Sequence, residues 1–230
     1  MNLIAFEVID STNAEALRRL KAGAPDGTVV CARAQTAGRG RRGRAWVSPP
    51  GNLHMSIVVR GVEGAAAGQL SYVSALAVGD AIGGAAAFKW PNDILVNRKK
   101  VAGILIEADT TGNRLSGLVV GIGVNNLHAP DGTEFPATSL AAEGLPPVEP
   151  EDIAARFAAW RARWQKDGFS PIREAWLGRA AGLGGSIAAR LPNTTLTGIF
   201  AGIDPAGALL LDGADGNRRT IAAAEVFLAA

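Results

Sequence analysis

The sequence is short of several residue types, and each shortage removes a class of protein. Cys31 is the only cysteine, which excludes internal disulfides and zinc sites made of several thiolates. The two histidines, His54 and His128, lack the spacing of a metal site. No apolar run reaches the length of about 18 residues that a membrane-spanning helix needs. The first residues do not form a signal peptide. We therefore expect a cytoplasmic protein with no membrane association.

Acidic residues are absent from one stretch that is rich in arginine. No Asp or Glu occurs between Gly27 and Val62, whereas four arginines lie within residues 39–44. The chain has 230 residues, of which 48% are hydrophobic, and a net charge of only +2, so it can bury a full core but is not a general nucleic-acid coat. The positive charge is local and predicts one anion-binding site.

Residues 38–43, GRGRRG, fit the pattern G-x-G-x-x-G of dinucleotide-binding loops. That function needs a helix directly after the glycines, and the residues at 48–51, Ser-Pro-Pro-Gly, cannot begin one. The segment instead predicts a mobile loop whose glycines allow the backbone to approach an anion. A solvated surface loop without function is the simpler alternative, since charge runs are usually just exposed.

Periodicity and turn residues predict an α+β fold. Thr12 and Glu15 form a capping box that begins a helix over about 12–22. Near-continuous apolar stretches indicate strands covered on both faces, with helices packed on one side. The predicted elements of this region are strands at 28–35 and 53–60, a helix at 70–87, and an antiparallel meander of 88–97, 101–107 and 115–124 with turns at 98–99 and 109–114.

The last third of the chain changes from helix to short strands. Pro150 begins a helix whose apolar residues fall on one face before Gly168 ends it, and Ser170 begins a shorter one. From about residue 184, turn signals separate short strands, which predicts a small β-barrel of about 45 residues. We therefore predict two domains, 1–182 and 183–230.

Three stretches together resemble the biotin protein ligases. They are Asp10–Asn13, Gln35–Arg44 with Trp46, and Lys89–Asp93 followed by Lys100–Gly103. Gly121–Asn125 and Gly198–Leu211 extend the resemblance over nearly the whole chain. It implies a central mixed or antiparallel sheet flanked by helices, as in class II aminoacyl-tRNA synthetases, and a C-terminal SH3-like barrel.

The resemblance also implies an activity. Members of this family form biotinyl-5′-AMP from biotin and ATP, and transfer biotin to one lysine of a biotin carboxyl carrier domain. Mg²⁺ is implied by the triphosphate, although no dedicated carboxylate cage is visible. We expect the monofunctional type without DNA binding, because no helix-turn-helix module fits before Ser11. Pairing of two copies stays open.

Each role in the site is carried over from the resemblance to a matching position. The biotin-binding residues would be Ser11, Thr12, Asn13, Gln35, Arg39, Gly40, Arg41, Lys100 and Gly103. The ATP- or adenylate-binding residues would be Arg42, Arg44, Trp46, Lys89, Asn92 and Asn125, with Trp46 stacked on adenine. The catalytic residues would be Lys100, Arg41 and Asp93, with Asp93 receiving or orienting the proton of the attacking lysine.

Simpler explanations remain for several of these residues. Thr12 could only cap its helix, leaving Ser11 and Asn13 free to face a ligand, and Asp93 could only complete a turn or a cap. Asn125 could simply end a strand. For the loop, we hypothesise disorder until the adenylate binds, because its arginines and Arg33 repel one another.

Two other functions compete with this prediction. A lipoate or octanoate ligase or transferase would share the fold and the acyl chemistry, but the polar set around Gln35 suits a ureido ring better than an alkyl chain. A nucleic-acid binder could use the arginines with Trp46 as a stacking platform. It would need basic charge spread beyond one loop, which the sequence lacks.

Overall fold

The computed structural model describes residues 2–111 and 114–228, with only the backbone described at Thr111 and Arg114. The four α-helices of this part are α1 (Thr12–Lys21), α2 (Leu70–Ile82), α3 (Pro150–Asp167) and α4 (Ser170–Leu177). Its strands are β1 (Leu3–Ile9), β2 (Val29–Gln35), β3 (Leu53–Val59), β4 (Ala87–Lys89), β5 (Asp93–Val96), β6 (Lys99–Thr111), β7 (Arg114–Val124), β8 (Ser186–Arg190), β9 (Thr195–Ile203), β10 (Leu209–Asp212), β11 (Arg218–Ile221) and β12 (Glu225–Leu228).

Seven strands form the large sheet in the order β1-β2-β3-β7-β6-β5-β4. β1 runs parallel to β2, and the other neighbouring strands are antiparallel. The predicted mixed sheet and the meander from β4 to β7 are therefore confirmed. β1 was not predicted, because this edge strand has a mixed, half-exposed pattern instead of the apolar run that marks the central strands.

Helices cover both faces of the large sheet, instead of the one side that was predicted. α1 packs on one face through Ala16 and Leu20, which meet Val30, Val58 and Val119. On the opposite face, α2 is buried nearly all round and packs against the strands, α3 and α4. Because α1 is short, it leaves part of its own face open for a site.

Three predicted features lie at shifted positions in the structure. α2 ends at Ile82, not at 87, because Gly83 takes a φ of 93° and breaks the helix. The turn after β5 lies at Asn97–Arg98, one residue early, because these two residues adopt left-handed φ values of 49° and 63°. The turn predicted at 109–114 is shorter, since β6 extends to Thr111, β7 begins at Arg114, and residues 112 and 113 lie outside the described residues.

The C-terminal strands form a second sheet in the order β11-β10-β9-β8-β12. All of its pairings are antiparallel, which confirms an all-β C-terminal domain. Among the described strands β11 and β12 do not pair, so the sheet is open where a barrel was predicted. The domain boundary at residues 182/183 stays a prediction, and the first strand beyond it begins at Ser186.

Hydrogen bonds join the second sheet to the first domain. The Tyr72 hydroxyl and Trp90 Nε1 both donate to the carbonyl of Gly207 in the turn before β10, the latter at 3.1 Å. Lys89 Nζ donates to the carbonyl of Val226 on β12 at 3.2 Å. β12 is thereby held against the large sheet.

Within the described ranges, no helix combines the length and apolar character that crossing a membrane requires.

Candidate active site

A cavity of ≈ 420 Å³ opens on the face of the large sheet that carries α1. This volume suits a small-molecule substrate. Its walls come from the first turn of α1, the β2–β3 loop, strands β5 to β7, residues 130–137 and β12. Every residue predicted for the site except Arg42 lines it: Ser11, Thr12, Asn13, Gln35, Arg39, Gly40, Arg41, Arg44, Trp46, Lys89, Asn92, Asp93, Lys100, Gly103 and Asn125.

The floor of the cavity is formed by three glycines of β6 and β7, over which neighbouring side chains lie. Gly103 and Gly123 are register partners, and Gly121 lies two residues away on the same face. A methyl group at Gly121 would overlap the side chain of Asn13, and one at Gly123 would overlap the ring of Trp46. Glycine at these positions lets neighbouring side chains lie flat on the sheet.

The N-terminus of α1 is capped by Ser11, not by Thr12 as predicted. The Ser11 Oγ accepts a hydrogen bond from the backbone of Ala14 at 3.4 Å, and Ser11 has the extended backbone of a capping residue. Thr12 turns inward instead, where Gln35 Oε1 accepts from its backbone N–H at 2.7 Å and from its hydroxyl at 3.1 Å. Of the two, Thr12 is therefore the more firmly fixed.

A continuous path of hydrogen bonds, which we call the polar belt, runs beneath the neutral end of the cavity. Gln35 Nε2 donates to Ser48 Oγ at 2.8 Å, and the Ser48 hydroxyl donates to the carbonyl of Trp46 at 2.9 Å. In the other direction, Ser56 Oγ lies 2.8 Å from Thr12 Oγ1 and 2.5 Å from Asn13 Oδ1. Asn13 Nδ2 then donates to Glu107 Oε2 at 2.6 Å. The belt links β2, α1, β3 and β6.

The arginine loop (residues 38–46) is a small hairpin. Trp46 donates its backbone N–H to the Gly38 carbonyl at 2.9 Å, and Gly40 donates to the Arg44 carbonyl at 2.7 Å. Its tip is a short 3-10 turn over Arg41–Gly43 with a left-handed φ of 57° at Arg42. A side chain at Gly38 would lie 2.5 Å from Ser48 Oγ, so the base of the hairpin needs glycine. No helix follows, as predicted.

Carboxylates from distant parts of the chain surround the loop. Arg39 pairs with Glu107 on β6 at 3.2 Å, whereas Arg42, at 3.6 Å, and Arg44 both pair with Glu225 on β12. The sequence predicted a loop without acidic neighbours whose arginines repel one another. This prediction is wrong, because Glu107 and Glu225 lie beside the loop in the folded chain. Whether the empty loop is disordered stays a prediction.

Two lysines share one carboxylate deep in the cavity. Lys100 Nζ lies 2.6 Å from Asp93 Oδ1, and Lys89 Nζ lies 2.9 Å from Asp93 Oδ2. Burial by itself raises the pKa of Asp93, but the adjacent ammonium groups of Lys100 and Lys89 outweigh it and hold that pKa below its ordinary value. Asp93 is therefore ionised at neutral pH, and each of its oxygens holds a cation.

Trp46 lies across the glycine floor beside Lys100. The Lys100 ammonium is 5.3 Å from the centre of its indole ring, within the range of a cation–π contact. The indole is half-buried against Gly103 and Gly123. Its stacking on adenine stays a prediction.

The remaining predicted residues fix the loop and the rim. Arg41 donates to Asn92 Oδ1 at 2.8 Å, and Asn92 Nδ2 donates to the Ile104 carbonyl at 2.8 Å. Burial lowers the pKa of Arg41, and the charge of Arg42 adds to this effect. Asn125 Nδ2 donates to the Thr138 carbonyl at 3.0 Å, so it does more than end a strand: it holds the segment that follows Phe135 and Ala137 on the cavity wall.

Several residues of the site were missed from the sequence. The centre of the Phe135 ring lies 4.1 Å from Lys89 Nζ. Ser56 and Glu107 complete the polar belt. β12 brings Glu225 and Val226 to the rim. One signal was available: Glu107 lies on the same strand as the Lys100–Gly103 motif, an even number of residues after Gly103, and therefore on the same face of the sheet.

The described residues contain no group of three or more His, Cys, Asp or Glu side chains placed to hold a metal ion. Asp93, which lies deep in the cavity, is already paired with two lysines. A metal would therefore need other donors, such as phosphate oxygens.

The chain matches known families over both domains. Residues 5–125 match the Biotin/lipoate A/B protein ligase family, and residues 182–229 match the Biotin protein ligase C terminal domain. It is 49% identical to the biotin--[acetyl-CoA-carboxylase] ligase of Paracoccus denitrificans, covering 95% of this chain and 97% of that protein. It is 35% identical to the bifunctional ligase/repressor BirA of Bacillus subtilis, covering 96% of this chain and 73% of that protein.

Solved structures that resemble this chain agree with these sequence matches. The biotin protein ligase of Aquifex aeolicus in complex with biotin and ATP superposes with a TM-score of 0.84 at 26% identity, covering 99% of both chains. The enzyme of Leishmania major in complex with biotinyl-5-AMP superposes with a TM-score of 0.60 at 26% identity, covering 96% of this chain and 99% of that one. The sequence motifs, the cavity that gathers them and these matches lead to one conclusion: the chain belongs to the biotin/lipoate A/B protein ligase family and, within it, to the biotin protein ligases.

Proposed function

We propose that this cavity joins biotin to ATP as biotinyl-5′-AMP and then delivers biotin to a lysine of a biotin carboxyl carrier domain. One observation carries the proposal: a single cavity has a neutral, hydrogen-bonding end around Thr12 and Gln35 and a cationic end around Lys100, Lys89 and Arg41. A ureido ring suits the first end, and a carboxylate beside a triphosphate suits the second.

The neutral end keeps hydrogen-bonding capacity for a ligand. Ser11 Oγ accepts from Ala14 and still has its own hydrogen to donate, and Gln35 Nε2 has a second hydrogen beyond the one given to Ser48. We assign the ureido ring to Ser11, Thr12 and Gln35. Asn13 acts beneath them, because its amide is already bonded to Ser56 and Glu107.

In the first step, a biotin carboxylate oxygen attacks the α-phosphorus of ATP, and pyrophosphate leaves. Both reactants are anionic, so cations must offset their repulsion and the charge that develops on the leaving group. Lys100 is assigned to bridge the carboxylate and the α-phosphate. Arg39, Gly40 and Arg41 close over biotin, while Lys89, Asn92, Asn125, Arg42 and Arg44 serve the phosphates and Trp46 the adenine.

In the second step, the amine of a carrier lysine attacks the acyl carbonyl, and AMP leaves. The attacking amine must lose a proton, and Asp93 is the assigned acceptor or orienting group. Both Asp93 oxygens hold lysines, so one becomes available when Lys100 turns towards the phosphate. The same movement would supply the cation that AMP needs as it leaves.

Further expectations accompany this activity. Mg²⁺ would arrive with the triphosphate, held by phosphate oxygens and water beside Asn92. The chain would act in the cytoplasm on carrier domains and would not bind DNA, because its net charge is only +2 and the basic loop is paired with Glu107 and Glu225. Whether two copies pair is open, and we propose β1, the edge strand of the described large sheet, where Val8 is exposed, as the surface for such pairing; sedimentation over a range of concentrations tests this.

Incubation with biotin, Mg-ATP and a purified carrier domain tests the activity directly. Mass spectrometry is expected to show one added biotinyl group on a single lysine, and labelled pyrophosphate to exchange into ATP only when biotin is present. Lipoate and octanoate replace biotin in parallel reactions. Exchange supported by lipoate but not by biotin would instead favour the related lipoyl ligases.

A further inference from the structure

We propose that Glu107 is a positioning residue that couples occupancy of the biotin end of the cavity to closure of the arginine loop. This inference rests on the proposed function. Glu107 is the residue in which two parts of the site meet: one carboxylate oxygen accepts from Asn13 at 2.6 Å, and the other lies 3.2 Å from Arg39. It touches the first turn of α1 and the loop at once.

The polar belt connects the contacts of Glu107 to both ends of the arginine loop. It begins at the carbonyl of Trp46, at the C-terminal end of the loop, and passes through Ser48, Gln35 and Thr12. It continues through Ser56 and Asn13 to Glu107, which returns it to Arg39 near the N-terminal end of the loop. Both ends of the loop are therefore bonded to one network that passes directly under the neutral end of the cavity.

The geometry leaves the belt little freedom to respond in other ways. Ser56 is fully buried, and Thr12 and Asn13 are each 4% exposed. Asn13 lies flat on β7 because Gly121 has no side chain, so its amide cannot swing towards the sheet. A ligand that draws on Thr12 or Gln35 must shift bonds along the belt, and the contact with room to move is the half-exposed pair of Glu107 and Arg39.

Charge gives the coupling its direction. When Glu107 holds Arg39, this guanidinium is drawn towards β6 and the biotin end, and away from the Glu225 cluster that holds Arg42 and Arg44. The neutral Glu107→Gln variant keeps a carbonyl oxygen for Asn13 and removes the charge that holds Arg39. It therefore separates the loop from the belt while leaving the belt itself bonded.

The matched control is Glu7→Gln. Glu7 pairs with Arg33 on β2 at 3.5 Å, and both side chains are well exposed away from the cavity. This substitution also removes one carboxylate from an arginine pair, but the pair does not belong to the polar belt. Its loop and kinetics should match those of the unaltered chain.

Three measurements test the inference on the full chain. Trypsin cleavage within residues 39–44, with and without biotin, reports how strongly biotin protects the loop. Release of preloaded biotinyl-5′-AMP reports retention, and calorimetry reports biotin binding itself. For Glu107→Gln, biotin protection should fall about fivefold and adenylate release should rise about fivefold, near the lower limit for coupled sites because the pair is half-exposed. The maximal rate of pyrophosphate exchange should change less than about twofold, since Glu107 holds no reacting group.

A second variant identifies the route of the effect. Arg39→Gln breaks the same pair from its exposed side, so the double variant should release adenylate no faster than the worse single variant. Fully additive effects, or wild-type protection and release in Glu107→Gln, would overturn the inference. If Glu107→Gln does not fold, Glu107→Asp, which shortens the same side chain and withdraws its carboxylate from Arg39, carries the same expectations for protection and adenylate release. Failure of the proposed function would look different, because the unaltered chain would then show no heat of biotin binding.

Discussion

The neutral end of the cavity and the arginine loop are held in place by different kinds of interaction. Around the neutral end, Thr12, Asn13 and Ser56 are at most 4% exposed and are joined by hydrogen bonds of 2.5–2.8 Å. In the loop, the side chains of Arg39 and Arg44 are 44% and 61% exposed and depend on ion pairs with residues of other elements.

That difference suits the neutral end of the cavity to recognising a ligand and the arginine loop to enclosing it. A buried hydrogen bond is costly to break, because the groups left behind lose both partner and water. An exposed ion pair contributes little, so its arginine can exchange one carboxylate for a phosphate at small cost. The neutral end is therefore preorganised for one ligand shape, whereas the loop can rearrange around whatever anion forms above it.

The largest effect is expected at the cationic end, from Lys100→Ala. Losing one preorganised charge should raise the barrier of adenylate formation by about 3 to 4 kcal/mol. Pyrophosphate exchange at saturating substrate measures it. The control is Lys99→Ala, since Lys99 pairs with Glu143 at 3.2 Å on the surface and does not line the cavity. Near-normal exchange in the Lys100 variant would remove this residue from its role.

Next in size is the effect of Ser56→Ala on the neutral end. It leaves Asn13 Oδ1 without its hydrogen-bond donor, while Thr12 keeps its bonds to Gln35, and this should lower the free energy of unfolding by about 1–3 kcal/mol and weaken biotin binding. Urea titration and calorimetry measure the two. Ser74→Ala is the control, because that buried hydroxyl bonds the Leu70 carbonyl of its own helix. Equal stability of both variants would contradict a preorganised neutral end.

Arg41→Gly should have a smaller effect on chemistry and a clear one on retention. Loss of the charge-assisted bond to Asn92 should loosen the loop and increase stray labelling of bystander lysines by about tenfold. Blotting for biotin on added albumin measures it, with Arg33→Gln as the control outside the cavity. Unchanged selectivity would mean that Arg41 does not retain the adenylate.

The smallest effect is expected from Arg44→Gln, on the exposed side of the loop. Its pair with Glu225 joins the loop to β12, yet the Arg44 side chain is 61% exposed, so the free energy of unfolding should change by less than about 1 kcal/mol. Urea titration measures this. A loss comparable to that of Ser56→Ala would show that the loop is as rigidly held as the neutral end.

Much of the architecture could be predicted because local patterns and tertiary contacts agree. The apolar runs at Ile94–Val96 and Leu118–Val120 became central strands, and the apolar face of α3 is buried. The Ser-Pro-Pro-Gly stretch correctly excluded a helix after the loop. Apart from Arg42, the motif residues also proved to line one cavity.

Contacts between residues far apart in sequence could not be predicted. Glu107 and Glu225 reach the loop only because β6 and β12 pass beside it, so a stretch without acids in sequence still has acidic neighbours. Nothing in the sequence around Phe135 indicates that it lies beneath Lys89. The cap moved from Thr12 to Ser11 because Gln35, on another element, engages Thr12.

The glycines of β6 and β7 limit how this cavity can be altered. Where a side chain forms the bottom of a pocket, trimming it makes room for a bulkier ligand, but Gly103, Gly121 and Gly123 offer nothing to trim. Substitutions there would collide with Asn13, Trp46 or Lys100, whose side chains lie over these glycines. Anyone wishing the enzyme to accept larger vitamin analogues must therefore widen the walls, where Trp46 and Phe135 carry bulk that can be reduced.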